Sequence, residues 1–185
     1  MKKNNTNKLV LISLCIGINV VGALIAVALK LPIFLDTIGT FTVAFLFGPI
    51  SGVVTGILSY LITTVTFDPY AIYFIPSQMV VGLLAGILYK KGGFKKTVIA
   101  PFSILLIASC SAFVAAIASA YVFGGITSSG NSIIVMYLNS IGLELVPSVF
   151  ITQILTEFID KIIIVVLVFN VIKVIPKNFK LQRNA

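Results

Sequence analysis

Six apolar runs, divided by short segments that hold nearly all of the basic residues, set the strongest limit on what this chain can fold into. They lie at about 9–29, 35–47, 50–66, 70–89, 97–123 and 147–175. A helix needs about 20 apolar residues to cross about 30 Å of hydrocarbon. Inside lipid the backbone finds no water, so a spanning segment must satisfy its own hydrogen bonds, and a helix does so. The expected fold is an all-α integral membrane protein with six transmembrane helices. Residues 1–185 read as a single membrane domain, since no linker, repeat or low-complexity tail divides them. The second and third runs are short, so one of them is expected to be tilted, broken or partly re-entrant.

Composition agrees. Hydrophobic residues make up 59% of the chain and charged residues 10%, and the mean hydropathy is +1.16. A soluble domain of this length does not have that balance. The run after Met1-Lys2-Lys3 is too long for a signal-peptide core and further spans follow it, so it reads as the first transmembrane helix.

The charges orient the bundle. Lys2, Lys3 and Lys8 precede the first run, Lys90, Lys91, Lys95 and Lys96 lie between the fourth and fifth, and Lys173, Lys177, Lys180 and Arg183 close the chain. Six crossings bring all three clusters to one side, which the positive-inside rule makes cytoplasmic. Both termini are then inside a multi-pass protein of the cell membrane. The opposite loops hold Lys30, Asp36 and Asp68. The net charge of +8 is thus a topology signal rather than a nucleic-acid surface. The last external stretch opens with the turn-rich Gly124–Asn131 segment. Its continuation, from Ile133 to Leu145, is apolar enough to lie on the bundle as a short helix or lid.

Within the sixth run stand Gln153, Glu157, Asp160 and Lys161, spaced i, i+4, i+7 and i+8, hence on one helix face. The whole chain has only five acidic residues. Ionisable groups at membrane depth are costly and mark function by default. Glu157 and Lys161 form an acid-to-base i, i+4 pair, but Asp160 competes for the same ammonium. The stripe reads either as a self-neutralised pair locking helices together or as a polar pocket for a solute. The extra carboxylate favours the pocket. Around the external mouth stand Asp36, Thr37, Asp68, Tyr73, Ser77, Gln78, Asn131 and Asn139, and Pro76 is expected to free backbone carbonyls toward a cavity.

Small residues recur at four-residue spacing: Gly48, Gly52 and Gly56; Gly82 and Gly86; Gly22 and Ala26. Such ladders let helix backbones approach closely, either inside the bundle or against another membrane protein. There is no Walker A motif, no H-E-x-x-H, no G-x-S-x-G and no histidine, so nothing points to ATP hydrolysis, a zincin or a hydrolase. Cys15 and Cys110 lie in apolar runs and carry no metal or disulfide spacing. No cofactor and no metal are expected.

Several of these features recur together in one family. The small-residue first span, the Gly48-Pro49 break, Lys90-Lys91-Gly92-Gly93, and the run Glu157-Phe158-Ile159-Asp160-Lys161 ending at Ile175-Pro176-Lys177 resemble the substrate-binding S component of an energy-coupling factor (ECF) vitamin transporter. The resemblance covers essentially the whole chain. It implies a six-helix, non-enzymatic subunit that captures a vitamin near the outer face. Its implied partners are a transmembrane T component and two cytoplasmic ATPases, which hydrolyse the ATP. It implies a pocket of Asp36, Thr37, Tyr73, Gln78, Asn131, Asn139, Gln153, Glu157, Asp160 and Lys161. It further implies docking through Gly22 and Ala26, where the family has an Ala-x-x-x-Ala patch, with Gly48, Gly52 and Gly56 as further small-residue candidates. Two carboxylates with one ammonium disfavour the anionic folate, pantothenate and biotin. A pyridoxine- or hydroxymethylpyrimidine-like solute is favoured, with riboflavin next. The alternative is a stand-alone secondary transporter or channel using Glu157 and Asp160 as a proton or cation relay, although no internal repeat is visible.

Overall fold

The computed structural model describes residues 2–127 and 129–175, with the backbone alone for residues 2–5. Pro176, Lys177, Lys180, Arg183 and the side chains of Lys2 and Lys3 therefore lie outside the described residues, as does Ser128. Among the described residues all regular structure is helical. The helices are α1 (Lys2–Ala28), α2 (Ile38–Phe47), α3 (Pro49–Thr66), α4 (Ile75–Lys90), α5 (Ala100–Ile117), α6 (Asn131–Ser140) and α7 (Leu145–Val174). A 3₁₀ turn, Pro69–Phe74, leads into α4, and a π turn, Ala118–Val122, extends α5. Four of these segments are long and apolar enough to cross a membrane: Thr6–Ala28, Pro49–Thr66, Pro69–Lys90 and Ala100–Val122. α7 is longer, at 30 residues, but its middle carries Glu157, Asp160 and Lys161.

The breaks follow local chemistry. Gly48, at φ 93°, adopts a left-handed conformation that side chains resist. Pro49 then starts α3, where a missing N–H costs nothing. Pro76 sits in the first turn of α4 for the same reason. It marks a helix start and frees no carbonyl in mid-span, contrary to the expectation from sequence. Gly124 and Gly125, at φ 57° and 80°, reverse the chain after the π turn.

The short α2 lies at the centre. It packs against α1, α3, α4 and α7, and every residue from Gly39 to Leu46 is buried. Ten residues span only about 15 Å, so the segment joining α1 to α2 must dip into the bundle. Around it Phe41 and Phe45 of α2 join Val81, Ile107, Ile164 and Val168 in the main apolar core. Phe45 stacks on Tyr89 there, with ring centroids 4.1 Å apart. Leu14, Val21, Val65 and Phe102 stand exposed on the outside, as expected of a surface solvated by lipid.

The glycine ladders serve the interior. A Cβ on Gly82 would lie 2.6 Å from the Gly52 carbonyl carbon, and one on Gly86 would lie 2.5 Å from Pro49 Cα. The α3 and α4 backbones therefore touch, the geometry that small residues permit in membranes. Gly82→Val is expected to force these helices apart and to lower the unfolding midpoint in mild detergent by several degrees. A midpoint equal to wild type would refute the close-contact account.

One polar strut was not anticipated. Asn19 Nδ2 donates to Thr40 Oγ1 at 2.9 Å and to Ser59 Oγ at 3.0 Å, while its Oδ1 accepts from Gly39 N at 2.6 Å. This fully buried amide ties α1, α2 and α3 together.

Candidate functional site

The α7 face read from sequence is buried along its length: Gln153, Glu157, Asp160 and Lys161 all lie inside. The four nevertheless divide into two layers. Gln153 and Glu157 line a cavity of about 70 Å³ enclosed by α1, α3, α4, α7 and the connecting loops. Asp160 and Lys161 lie beneath it, each completely buried.

The lower layer is a clamp. Asp160 Oδ1 accepts from Phe34 N at 3.0 Å and from Leu35 N at 2.9 Å. These are backbone groups of the dipping α1–α2 segment, which would otherwise lack a partner inside the bundle. Leu35 holds φ at 54°, an unusual conformation for a side-chain-bearing residue, here fixed by the carboxylate. Lys161 Nζ lies 2.8 Å from Asp160 Oδ2 and 2.9 Å from Glu157 Oε2. Burial of so many charges is tolerable only because each is paired. Glu157 Oε2 also accepts from Ser111 Oγ at 2.9 Å, so α5 joins the network. Both protein contacts of Glu157 fall on Oε2, which leaves Oε1 for the cavity.

The upper layer is the cavity wall. Asp36 and Gln78 line it, both nearly fully buried. Tyr60, which sequence reasoning missed, stands between them: its hydroxyl donates to Asp36 Oδ2 and accepts from Gln78 Nε2 at 2.9 Å. Phe34, Phe67 and Phe74 supply aromatic surface. The loops that precede α2 and α6 meet at the cavity, where a Cβ on Gly130 would collide with the carbonyls of Lys30 and Leu31. Among the described residues no group of His, Cys, Asp and Glu is arranged to hold a metal ion.

Other candidates fall elsewhere. Asn131 is a strut, donating to Thr156 Oγ1 at 2.9 Å and to Gln153 Oε1 at 3.5 Å. Thr37 is fully buried and precedes α2, with no place in the cavity wall. Tyr73 is 51% exposed, its ring edge against Phe123. Asn139 is exposed and donates to the Leu143 carbonyl at 3.1 Å, closing the end of α6. Neither can reach the cavity. The small residues picked out for docking are all buried. Gly22 abuts the Leu35 carbonyl, Ala26 lines the cavity, Gly48 faces the Lys90 side chain, Gly52 meets Ala44 and Gly82, and Gly56 meets Gln78. Gly22 also lines an open groove on the outer side of α1 together with Leu14, Gly17, Ile18, Val21 and Ile25, whereas Ala26, Gly52 and Gly56 face inward. Sequence signals for the missed residues were slight: Tyr60, Ser111 and Asn19 are isolated polar groups in apolar helices.

A helical membrane protein with a partly polar cavity sealed by ion pairs is built to hold a small solute. A family model described as ECF transporter, substrate-specific component, matches residues 7–172. The chain belongs to this family, whose members are substrate-binding transport subunits. No curated protein and no solved structure matches it.

Proposed function

We propose that this chain is the high-affinity capture subunit of an ECF-type importer. It crosses the cell membrane six times, with both termini cytoplasmic, and takes a water-soluble vitamin or precursor from outside. The cavity bounded by Asp36, Tyr60, Gln78, Gln153 and Glu157 carries this reading. Its volume of about 70 Å³ is room for on the order of five waters. That scale suits a single pyridine or pyrimidine ring better than the three fused rings of a flavin, so a pyridoxine- or hydroxymethylpyrimidine-like solute is favoured over riboflavin. A T component and two ATPases would supply the energy. The exposed apolar side of α1, with Leu14, Ile18, Val21 and Ile25, is the surface we assign to the T component, with Gly22 at the floor of the same groove.

A proton or cation relay is disfavoured, because Glu157 and Asp160 both bond to Lys161. Reconstitution in liposomes separates the two readings. Vitamin uptake is expected only when the T component, the ATPases and ATP are present. Uptake by the isolated chain under a proton gradient would defeat the proposal.

A further inference from the structure

The direction of the hydrogen bonds in the cavity wall says what the solute must offer. A carboxylate only accepts, so the bond to Asp36 Oδ2 uses the Tyr60 hydroxyl proton. The Tyr60 oxygen must then accept from Gln78, and does so from Nε2. This orients the Gln78 amide, with its nitrogen toward Tyr60 and its oxygen elsewhere. Both Asp36 Oδ1 and Gln78 Oε1 are buried without a partner, and their residues are only 5% and 3% exposed. The chain of bonds thus consumes its own donors and leaves two buried, unpaired acceptors on residues that line the cavity. Unpaired buried acceptors are unfavourable, and a ligand donor relieves them.

The charges agree. Asp36 lies within electrostatic reach of Glu157, Asp160 and Lys161. The group holds three carboxylates against one ammonium, and that ammonium is buried beneath the cavity between Glu157 and Asp160. Among the described residues no cationic side chain lines the cavity to receive an anion.

Resting on the substrate-binding reading above, we infer that Asp36, Tyr60 and Gln78 form the specificity-determining group, and that it selects a nitrogen heterocycle bearing N–H donors, such as an amino-substituted or ring-protonated pyrimidine or pyridine. Asp36 Oδ1 and Gln78 Oε1 receive the ligand's N–H groups. Tyr60 acts as a positioning residue that holds both acceptors in place.

A matched ligand pair tests this with the purified full chain in detergent. One member is 4-amino-5-hydroxymethyl-2-methylpyrimidine. The other is its 4-oxo counterpart, which has an acceptor at C4 in place of the donor and carries its one N–H at ring N3. Titration calorimetry is expected to show the amino compound binding roughly 100-fold more tightly, since a site built for a donor rejects an analogue lacking it. Asp36→Asn should weaken the amino compound by about the same factor and bring the ratio of the pair toward unity. Gln78→Met, which keeps length without charge or amide, should cost about 10-fold. The same titrations with pyridoxine, riboflavin, thiamine, biotin and pantothenate complete the panel. Equal or tighter binding of the 4-oxo compound overturns the assignment. So does any panel vitamin whose tight binding is unchanged in Asp36→Asn and Gln78→Met variants that elute and unfold like wild type. In both cases the capture-subunit reading survives. If no compound binds, and none is taken up with the T component and ATPases present, that reading fails and this assignment fails with it.

Discussion

Asp160→Ala is expected to abolish most of the stability of the chain. The change leaves the Phe34 and Leu35 amides without their acceptor and Lys161 with one carboxylate in place of two. Breaking a buried charge network by removing one partner costs about 3–5 kcal/mol, out of a total that is rarely above about 15 kcal/mol. The variant should elute largely as aggregate in mild detergent, and any folded fraction should unfold well below wild type. Asp160→Asn keeps an oxygen for the two amides but loses the anion facing Lys161, so its loss should be intermediate. A fully stable Asp160→Ala protein would show that the dipping segment has another anchor.

Lys161→Met should be almost as damaging. It leaves Glu157 and Asp160 facing each other at membrane depth without their shared ammonium, at a cost again of about 3–5 kcal/mol. Removing the whole set is expected to be milder. In the triple variant Glu157→Gln, Asp160→Asn, Lys161→Met no charge is left unpaired, and such replacements are often neutral. Thermal unfolding of single and triple variants checks the ordering. If Lys161→Met alone matches wild type, the ammonium does not hold the network together.

Much of the fold was legible because lipid imposes a simple rule on apolar runs. Each of the six runs overlaps a helix, four of the helical segments are long and apolar enough to cross a membrane, and the apolar stretch after Gly124–Asn131 forms α6. One disagreement in the first half of the chain, at the start of α2, has a cause far along the chain. Residues 34 and 35 extend away from helix geometry to reach Asp160, which hydropathy cannot register. The candidate site was legible in part for a related reason. Helical spacing puts Gln153, Glu157, Asp160 and Lys161 on one face, but spacing does not say what lies opposite. Loop amides face Asp160, and the cavity faces Glu157. Tyr60 escaped notice because a single tyrosine in an apolar helix looks like lipid-facing surface until Asp36 and Gln78 are seen on either side of it. Tyr73 and Asn139 are polar and close to the mouth in sequence, but in the fold both stand exposed, Tyr73 against Phe123 and Asn139 on the Leu143 carbonyl.

The bonds from Phe34 and Leu35 to Asp160 bridge 126 and 125 positions of sequence. A ribosome adding about 5–20 residues per second needs roughly 6–25 s to make that length of chain. Throughout the interval the two amides have been synthesised and their acceptor has not. The α1–α2 segment can therefore be clamped in its final place only after α7 has been made. Closure of the bundle is timed by its last helix, and a chain truncated before Asp160 should remain open at its N-terminal end, its loop accessible to water-borne thiol reagents at an engineered cysteine.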